Sequence, residues 1–254
     1  MPVSTPRVVY LLTLQFAFFI NINQVFAETT AETSVQTPTE IPTDIKSAKA
    51  QTVTENVHSL VDEKHLLARL GNIKTVSTSF VQKLYTTDSN EPQITEGILL
   101  VAGGDKFRLE YTKPYEQIYV ANGKEFLFYD VDLEQITIKP QSEELANTPA
   151  MILSNPAVFI KNYYVKLNPE SSQEEYILSA KDETSAYNKI LLSFKNTRLS
   201  TMLIEDSFGQ ETELNFKSMV YNKKIPDSTF NFKPPAGVDV IRSTAQENMK
   251  IKTK

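Results

Sequence analysis

Between Thr95 and Ile138 the chain is an almost unbroken series of apolar and aromatic segments separated by turn residues, TEGILLVAGGDKFRLEYTKPYEQIYVANGKEFLFYDVDLEQITI. The run contains no Cys and no His. Short apolar stretches bounded by Gly-Gly and Asn-Gly predict consecutive hairpins, because Asn122-Gly123 suits a two-residue turn whose twist matches its flanking strands. The strands expected here are 76–85, 94–101, 106–111, 117–121, 125–129 and 133–139. Five more are expected at 163–167, 176–180, 189–194, 199–205 and 211–219. About eleven strands are too many to lie in a flat sheet, so an open or incompletely closed antiparallel barrel is the natural solution. The expected class is therefore mainly β with a helical cover.

Helical spacing occurs in two places. Val57, Leu60, Val61, Leu67 and Leu70 recur on one face over residues 55–70, with Gly71 placed as a C′ stop. Residues 149–163 are apolar on most sides, with Pro156 dividing them. Gly97 lies inside a strand, where a bulge or bend is the usual meaning.

A half-buried antiparallel strand should alternate. Phe107, Leu109 and Tyr111 do so against Arg108 and Glu110, but Ile98-Leu99-Leu100-Val101 and Phe126-Leu127-Phe128-Tyr129 are apolar on both faces. Two readings stay open. One is an ordinary core with a helix packed outside. The other is a partly hollow barrel closed by the helix near 57–70 and by the Met151–Ile160 segment, able to hold acyl chains at roughly 0.8 kcal/mol per buried methylene.

Arg7, the apolar run 8–20 and Val25-Phe26-Ala27 read as a signal peptide, residues 1–27, cleaved before Glu28. Residues 28–54 are rich in Thr, Glu, Pro and Ala and are read as a flexible tether. The folded domain is expected at 55–242 and a basic tail at 243–254. The net charge of −5 argues against nucleic acid as a partner. The absence of Cys excludes disulfides, thiolate metal sites, a cysteine nucleophile and a lipid-bearing N-terminal Cys.

Catalytic signals are poor. His58 and His65, the only histidines, lie seven apart rather than at chelating spacing, and are read as flanking the helix face. No G-x-S-x-G elbow is present. Asp130, Asp132 and Glu134 lack the Gly and terminal Glu of a calcium loop and are read as a solvated strand edge. No catalytic residue, metal or cofactor is expected.

A set of pieces in fixed order carries a family resemblance. They are Phe80-Val81-Gln82, Gly97 opening a strand, Lys106-Phe107-Arg108-Leu109-Glu110-Tyr111 before Pro114, and Gln117-Ile118 with Asn122-Gly123-Lys124. Tyr129-Asp130, Leu133-Glu134-Gln135, Thr148-Pro149-Ala150, Asp206 with Gly209-Gln210, Phe230-x-Phe232-x-Pro234-Pro235 and Gly237-Val238-Asp239-Val240 follow. Over residues 57–242 the chain resembles the LolA family of periplasmic outer-membrane lipoprotein carriers.

The resemblance implies an unclosed, highly curved antiparallel barrel with a helical lid over a hydrophobic cavity. It implies a periplasmic chaperone, monomeric, that makes and breaks no bond: lipoproteins arrive from an inner-membrane ABC-type exporter and leave to an outer-membrane acceptor lipoprotein. The expected acyl-chain lining is Phe107, Leu109, Tyr111, Ile118, Phe126, Phe128, Ile136, Met151 and Ile152. The expected lid contacts are Leu60, Val61, Leu67 and Phe159. Many members carry Arg-Pro where this chain has Gly103-Gly104, and there the Arg hydrogen-bonds the lid helices; another latch is implied here, with Arg108 a candidate only if it faces inward. A lipid-sensing regulator of the same architecture and a periplasmic hydrolase are the competing readings. The first usually carries a further C-terminal domain, and the second needs a base near a reactive Ser or carboxylate pair.

Overall fold

The computed structural model describes residues 59–144 and 150–242. A helix, α1, covers residues 59–71. Six strands follow: β1 (Thr75–Tyr85), β2 (Gln93–Ala102), β3 (Lys106–Lys113), β4 (Gln117–Asn122), β5 (Glu125–Asp130) and β6 (Gln135–Pro140). Three short helices come next, α2 (Gln141–Glu144), α3 (Met151–Ser154) and α4 (Pro156–Ile160). The remaining strands are β7 (Tyr163–Leu167), β8 (Glu174–Ala180), β9 (Tyr187–Lys195), β10 (Arg198–Asp206), β11 (Glu211–Tyr221) and β12 (Asp239–Arg242).

All twelve strands form one sheet in the order β12-β6-β5-β4-β3-β2-β1-β11-β10-β9-β8-β7. Two meanders, β1–β6 and β7–β11, are joined where β1 pairs antiparallel with β11. The sheet does not close, because β7 and β12 remain edges. The connection from β6 to β7 must therefore travel from one side of the sheet to the other. Helices α3 and α4 make that journey across the concave face, where Met151, Ile152, Leu153, Phe159 and Ile160 join the main core. Pro156 is the first residue of α4 and separates it from α3, as its fixed φ and missing N–H dictate.

Eleven strands lie close to the expected ranges. The twelfth, β12, pairs parallel with β6 and is exposed along its length. The signal, tether and tail segments lie outside the described residues.

Two apolar clusters, one on each face, explain why β2 and β5 do not alternate. Val76, Phe80, Leu99, Phe107, Leu109, Phe126 and Phe128 point to the concave core, continued through Tyr176, Ile190, Leu192 and Leu214. Val120, Leu127, Tyr129, Ile136 and Ile138 point the other way and are covered by Phe230, Phe232, Ile225 and Val238. The outer cover is thus the C-terminal segment, with one 3-10 turn at Asp227–Phe230, and not an α-helix. Phe230 is 1% exposed, and its burial contributes about 1.5–3 kcal/mol to holding that segment down.

Gly97 sits opposite Phe80 on β1, and the β2–β3 register shifts between Glu96 and Gly97. A Cβ at Gly97 would lie 2.4 Å from the Glu110 carbonyl oxygen and 2.6 Å from Phe80 Cζ. The bulge expected from this glycine is present, and the missing side chain also makes room for the Phe80 ring.

Helix α1 departs from its expected phase. Leu66 and Leu70 are buried and Leu67 packs against the same core, whereas Leu60 and Val61 are 57% and 60% exposed. The buried face centres on Leu66 and Leu70, from which Val61 lies about half a turn away and Leu60 falls beyond the half-buried Leu67, so one face cannot hold all of them. Gly71 is the last helical residue and not a left-handed stop. Ile73 N–H to the Leu70 carbonyl (3.0 Å) and Asn72 Nδ2 to the Ala68 carbonyl (3.2 Å) close the end instead.

Candidate functional site

Residues of the concave face come from alternate positions of neighbouring strands, so one aromatic surface runs across β1, β3, β4 and β5. Phe80 meets Tyr111 edge-on at 5.7 Å, Tyr111 meets Tyr119 at 6.0 Å, and Tyr119 stacks on Phe128 at 4.7 Å. Phe126 lies 6.2 Å from both Tyr119 and Phe107. Tyr119 and Phe80 were not among the expected lining residues, although their places opposite Leu109 and Gly97 in the strand register put them on this face. Burial holds the hydroxyls of Tyr111, Tyr119 and Tyr187 neutral, well above the ordinary tyrosine value of 10.0.

The structure brings together Phe107, Leu109, Tyr111, Phe126, Phe128, Met151 and Ile152. It does not bring Ile118 and Ile136 to them. Ile136 is buried in the outer cluster and Ile118 packs against it, beneath the C-terminal segment. Strand pairing fixes this, because Tyr129 opposes both Ile118 and Ile136, and Tyr129 points outward. The sequence could not choose: β4 is apolar on both faces, and the apolar side of β6 points outward. Of the expected lid contacts, Leu67 and Phe159 reach the core, and Phe159 stacks on Tyr163 at 4.9 Å. Leu60 and Val61 do not.

Arg108 faces outward. It pairs with Glu110, donates from Nη1 to the Thr229 carbonyl at 3.4 Å, and lies 5.6 Å from the Phe232 ring centre. It therefore anchors the C-terminal cover and plays no part at the lid.

The lid is fastened by amides instead. Asp105, in the β2–β3 turn, accepts a hydrogen bond at Oδ1 from Asn155 Nδ2 at 3.2 Å. Asn155 stands between α3 and α4. Gln141, 6% exposed at the start of α2, donates from Nε2 to the Asp105 carbonyl at 2.8 Å and accepts at Oε1 from Gly123 N–H at 2.7 Å. Its own N–H donates to the Lys124 carbonyl at 2.9 Å. One glutamine thus ties two hairpin tips together, and the aspartate of one tip holds the helical connection. The Asn-Pro step marked the start of α4, but no local signal pairs residues fifty positions apart.

On α1, Arg69 pairs with Glu174 and Asp62 Oδ2 accepts from the Leu167 N–H at 2.8 Å, which docks the helix on β7 and β8. His65 Nδ1 lies 3.3 Å from the Tyr176 hydroxyl, flanking the packed face as expected. His58 lies outside the described residues. Asp130 caps the β5–β6 turn, accepting at Oδ1 from the Leu133 N–H at 3.1 Å.

An open, strongly curved antiparallel sheet, roofed on an aromatic concave face by its own edge-to-edge helical connection, defines a class of fold suited to sheltering apolar matter. Residues 71–233 match the family described as outer membrane lipoprotein carrier protein LolA. The chain is 36% identical over 176 residues to an outer-membrane lipoprotein carrier protein of Hahella chejuensis, covering 68% of this chain and 84% of that one. It is 37% identical over 179 residues to a protein of the same name from Chromobacterium violaceum, covering 69% and 85%. A solved LolA superfamily structure from Nitrosomonas europaea aligns with TM-score 0.42 and 16% identity over 66% of this chain and 97% of that one. The chain belongs to the LolA family.

Proposed function

We propose that this protein is a periplasmic chaperone that shelters the acyl chains of outer-membrane lipoproteins between its concave aromatic face and its helical lid. In this reading it receives lipoproteins from an inner-membrane ABC-type exporter, passes them to an outer-membrane acceptor lipoprotein, and works as a monomer. Family membership supports the cargo and the compartment. The observation that carries the reading is the lid itself, a connection whose Met151, Ile152, Leu153, Phe159 and Ile160 cover the concave face and whose Asn155 is clasped by the Asp105 turn.

Magnitudes favour a multiply acylated cargo. Lifting the lid exposes five large side chains, roughly 8–15 kcal/mol at about 1.5–3 kcal/mol each. A sixteen-carbon chain offers on the order of 12 kcal/mol if all its methylenes are buried. One chain only balances the lid, whereas two or three exceed it. The lining would be Phe107, Leu109, Tyr111, Phe126, Phe128, Met151 and Ile152, with Phe80 and Tyr119 added. No bond changes in such a transfer, so neither nucleophile nor base is needed.

The test is release of a triacylated lipoprotein from inner membranes carrying the exporter. The folded protein should co-migrate with the released lipoprotein in gel filtration as a one-to-one complex. Folded protein that solubilises no lipoprotein would refute the reading.

A further inference from the structure

The concave face changes character along the strands. On β1 the inward series passes from Phe80 to Gln82, on β3 from Leu109 through Tyr111 to Lys113, on β4 from Tyr119 to Gln117, and on β5 from Phe128 to Asp130. On β2 it passes from Gly97 through Thr95 to Gln93. Every step runs away from the lid clasp and towards the β1–β2, β3–β4 and β5–β6 turns. There an open cleft of about 30 Å³ is lined by Gln82, Thr95, Tyr111, Lys113, Tyr115 and Gln117, among others. That volume holds a water or two.

Thr95 Oγ1 is buried and none of the protein's own groups bonds it, the one such side-chain atom among the described residues. A buried hydroxyl without a partner is costly to keep, which makes it a pointer to something that binds there. Its surroundings are ordered. The Tyr111 hydroxyl donates to Gln82 Oε1 at 3.0 Å, which turns the Gln82 carbonyl inward and leaves its amide NH₂ with no bond among the described residues. Gln117 is fixed at both ends, accepting from the Tyr119 hydroxyl and donating to Asp130, each at 3.3 Å. The cation on the rim, Lys113, is paired with Glu96 at 3.2 Å.

We infer that this cleft seats the neutral carbonyl groups of the cargo's linker, the ester and amide carbonyls that join acyl chains to its polar end, with the Thr95 hydroxyl and the Gln82 amide as donors. The chemistry is that of uncharged acceptors. With Lys113 neutralised and Asp130 close by, the site offers a phosphodiester no unpaired cation. A triacylated cysteine carries its carbonyls where the tails begin, which matches a surface that turns from aromatic to amide over one or two residues per strand. This rests on the carrier reading above and adds a polar anchor where the cargo's tails begin.

The experiment compares Thr95→Val and Thr95→Ser with the unaltered protein. Two probes are titrated: a synthetic tripalmitoylated cysteinyl-serine peptide, and N-phenyl-1-naphthylamine, which has no carbonyl. Thr95→Val should bind the lipopeptide about three- to tenfold more weakly, the worth of one hydrogen bond, and bind the dye unchanged. Thr95→Ser should restore lipopeptide binding. The thermal midpoint of Thr95→Val should equal or exceed that of the unaltered protein, because an orphan hydroxyl is removed. Unchanged lipopeptide binding by Thr95→Val, or equal loss for both probes, would overturn the inference while leaving the carrier reading standing. Failure of the unaltered, folded protein to bind the lipopeptide at all would overturn both.

Discussion

Replacing Gly97 by Ala tests the geometry on which the curvature depends. The added methyl would lie 2.4 Å from the Glu110 carbonyl oxygen, 2.6 Å from Phe80 Cζ and 2.8 Å from Phe80 Cε1. Restoring ordinary contact needs a shift of about 1 Å on both sides at once. The Phe80 ring cannot easily yield, since it is 2% exposed and held edge-on by Tyr111. The carbonyl belongs to β3 at the bulge, so moving it strains the β2–β3 pairing. Overpacking of this kind costs about 2–3 kcal/mol. Urea unfolding followed by far-UV circular dichroism should show a lower midpoint with an unchanged slope. Gly103→Ala is the matched control, because a Cβ there meets nothing within 4 Å, and it should change stability by less than about 0.5 kcal/mol. A Gly97→Ala protein within that same margin would refute the argument.

Two further outcomes follow from other parts of the molecule. Arg108→Ala should cost about 1 kcal/mol, by loss of the Phe232 contact and the bond to Thr229, and leave lipopeptide affinity unchanged; a change in affinity measured by dye displacement would contradict its outward placement. Tyr111, Tyr119 and Tyr187 have pKa values raised by burial above the unfolded 10.0. Their contribution is therefore complete below about pH 10 and is lost as pH rises beyond it, so the urea midpoint should hold steady from neutral pH to about 10 and then fall. A midpoint that stays level well above that pH would contradict the burial of these hydroxyls.

Alternation and turn chemistry made most of the sheet legible. Asn122-Gly123 marked one hairpin, whose two-residue loop falls one position later at Gly123-Lys124, Gly97 marked the bulge, and Pro156 divided the lid. The inner lining was legible where one face of a strand is polar, as with Phe107, Leu109 and Tyr111. It failed at Ile118 and Ile136, because β4 and β5 bury both faces while β6 turns its apolar side outward, and only the register against Tyr129 assigns a side. The α1 face was misjudged because Leu60 and Val61 share hydrophobicity, but not helical phase, with Leu66 and Leu70. The clasp of Asp105, Gln141 and Asn155 had no sequence signal, since polar pairing between distant turns follows from the fold and precedes no pattern in the chain.

The central claim is that acyl chains reach the concave face only when the lid lifts. The chain has no Cys, so a cysteine pair placed at Asp105 and Asn155, whose side chains already meet at 3.2 Å, can be joined by oxidation or by a short thiol-reactive linker without competing thiols. Titration with the tripalmitoylated peptide before and after reduction is the direct measurement. The account predicts that the bridged protein takes up little or no lipopeptide and that cleaving the bridge restores uptake in full. Equal uptake in both states, with the bridge verified by mass, would contradict it.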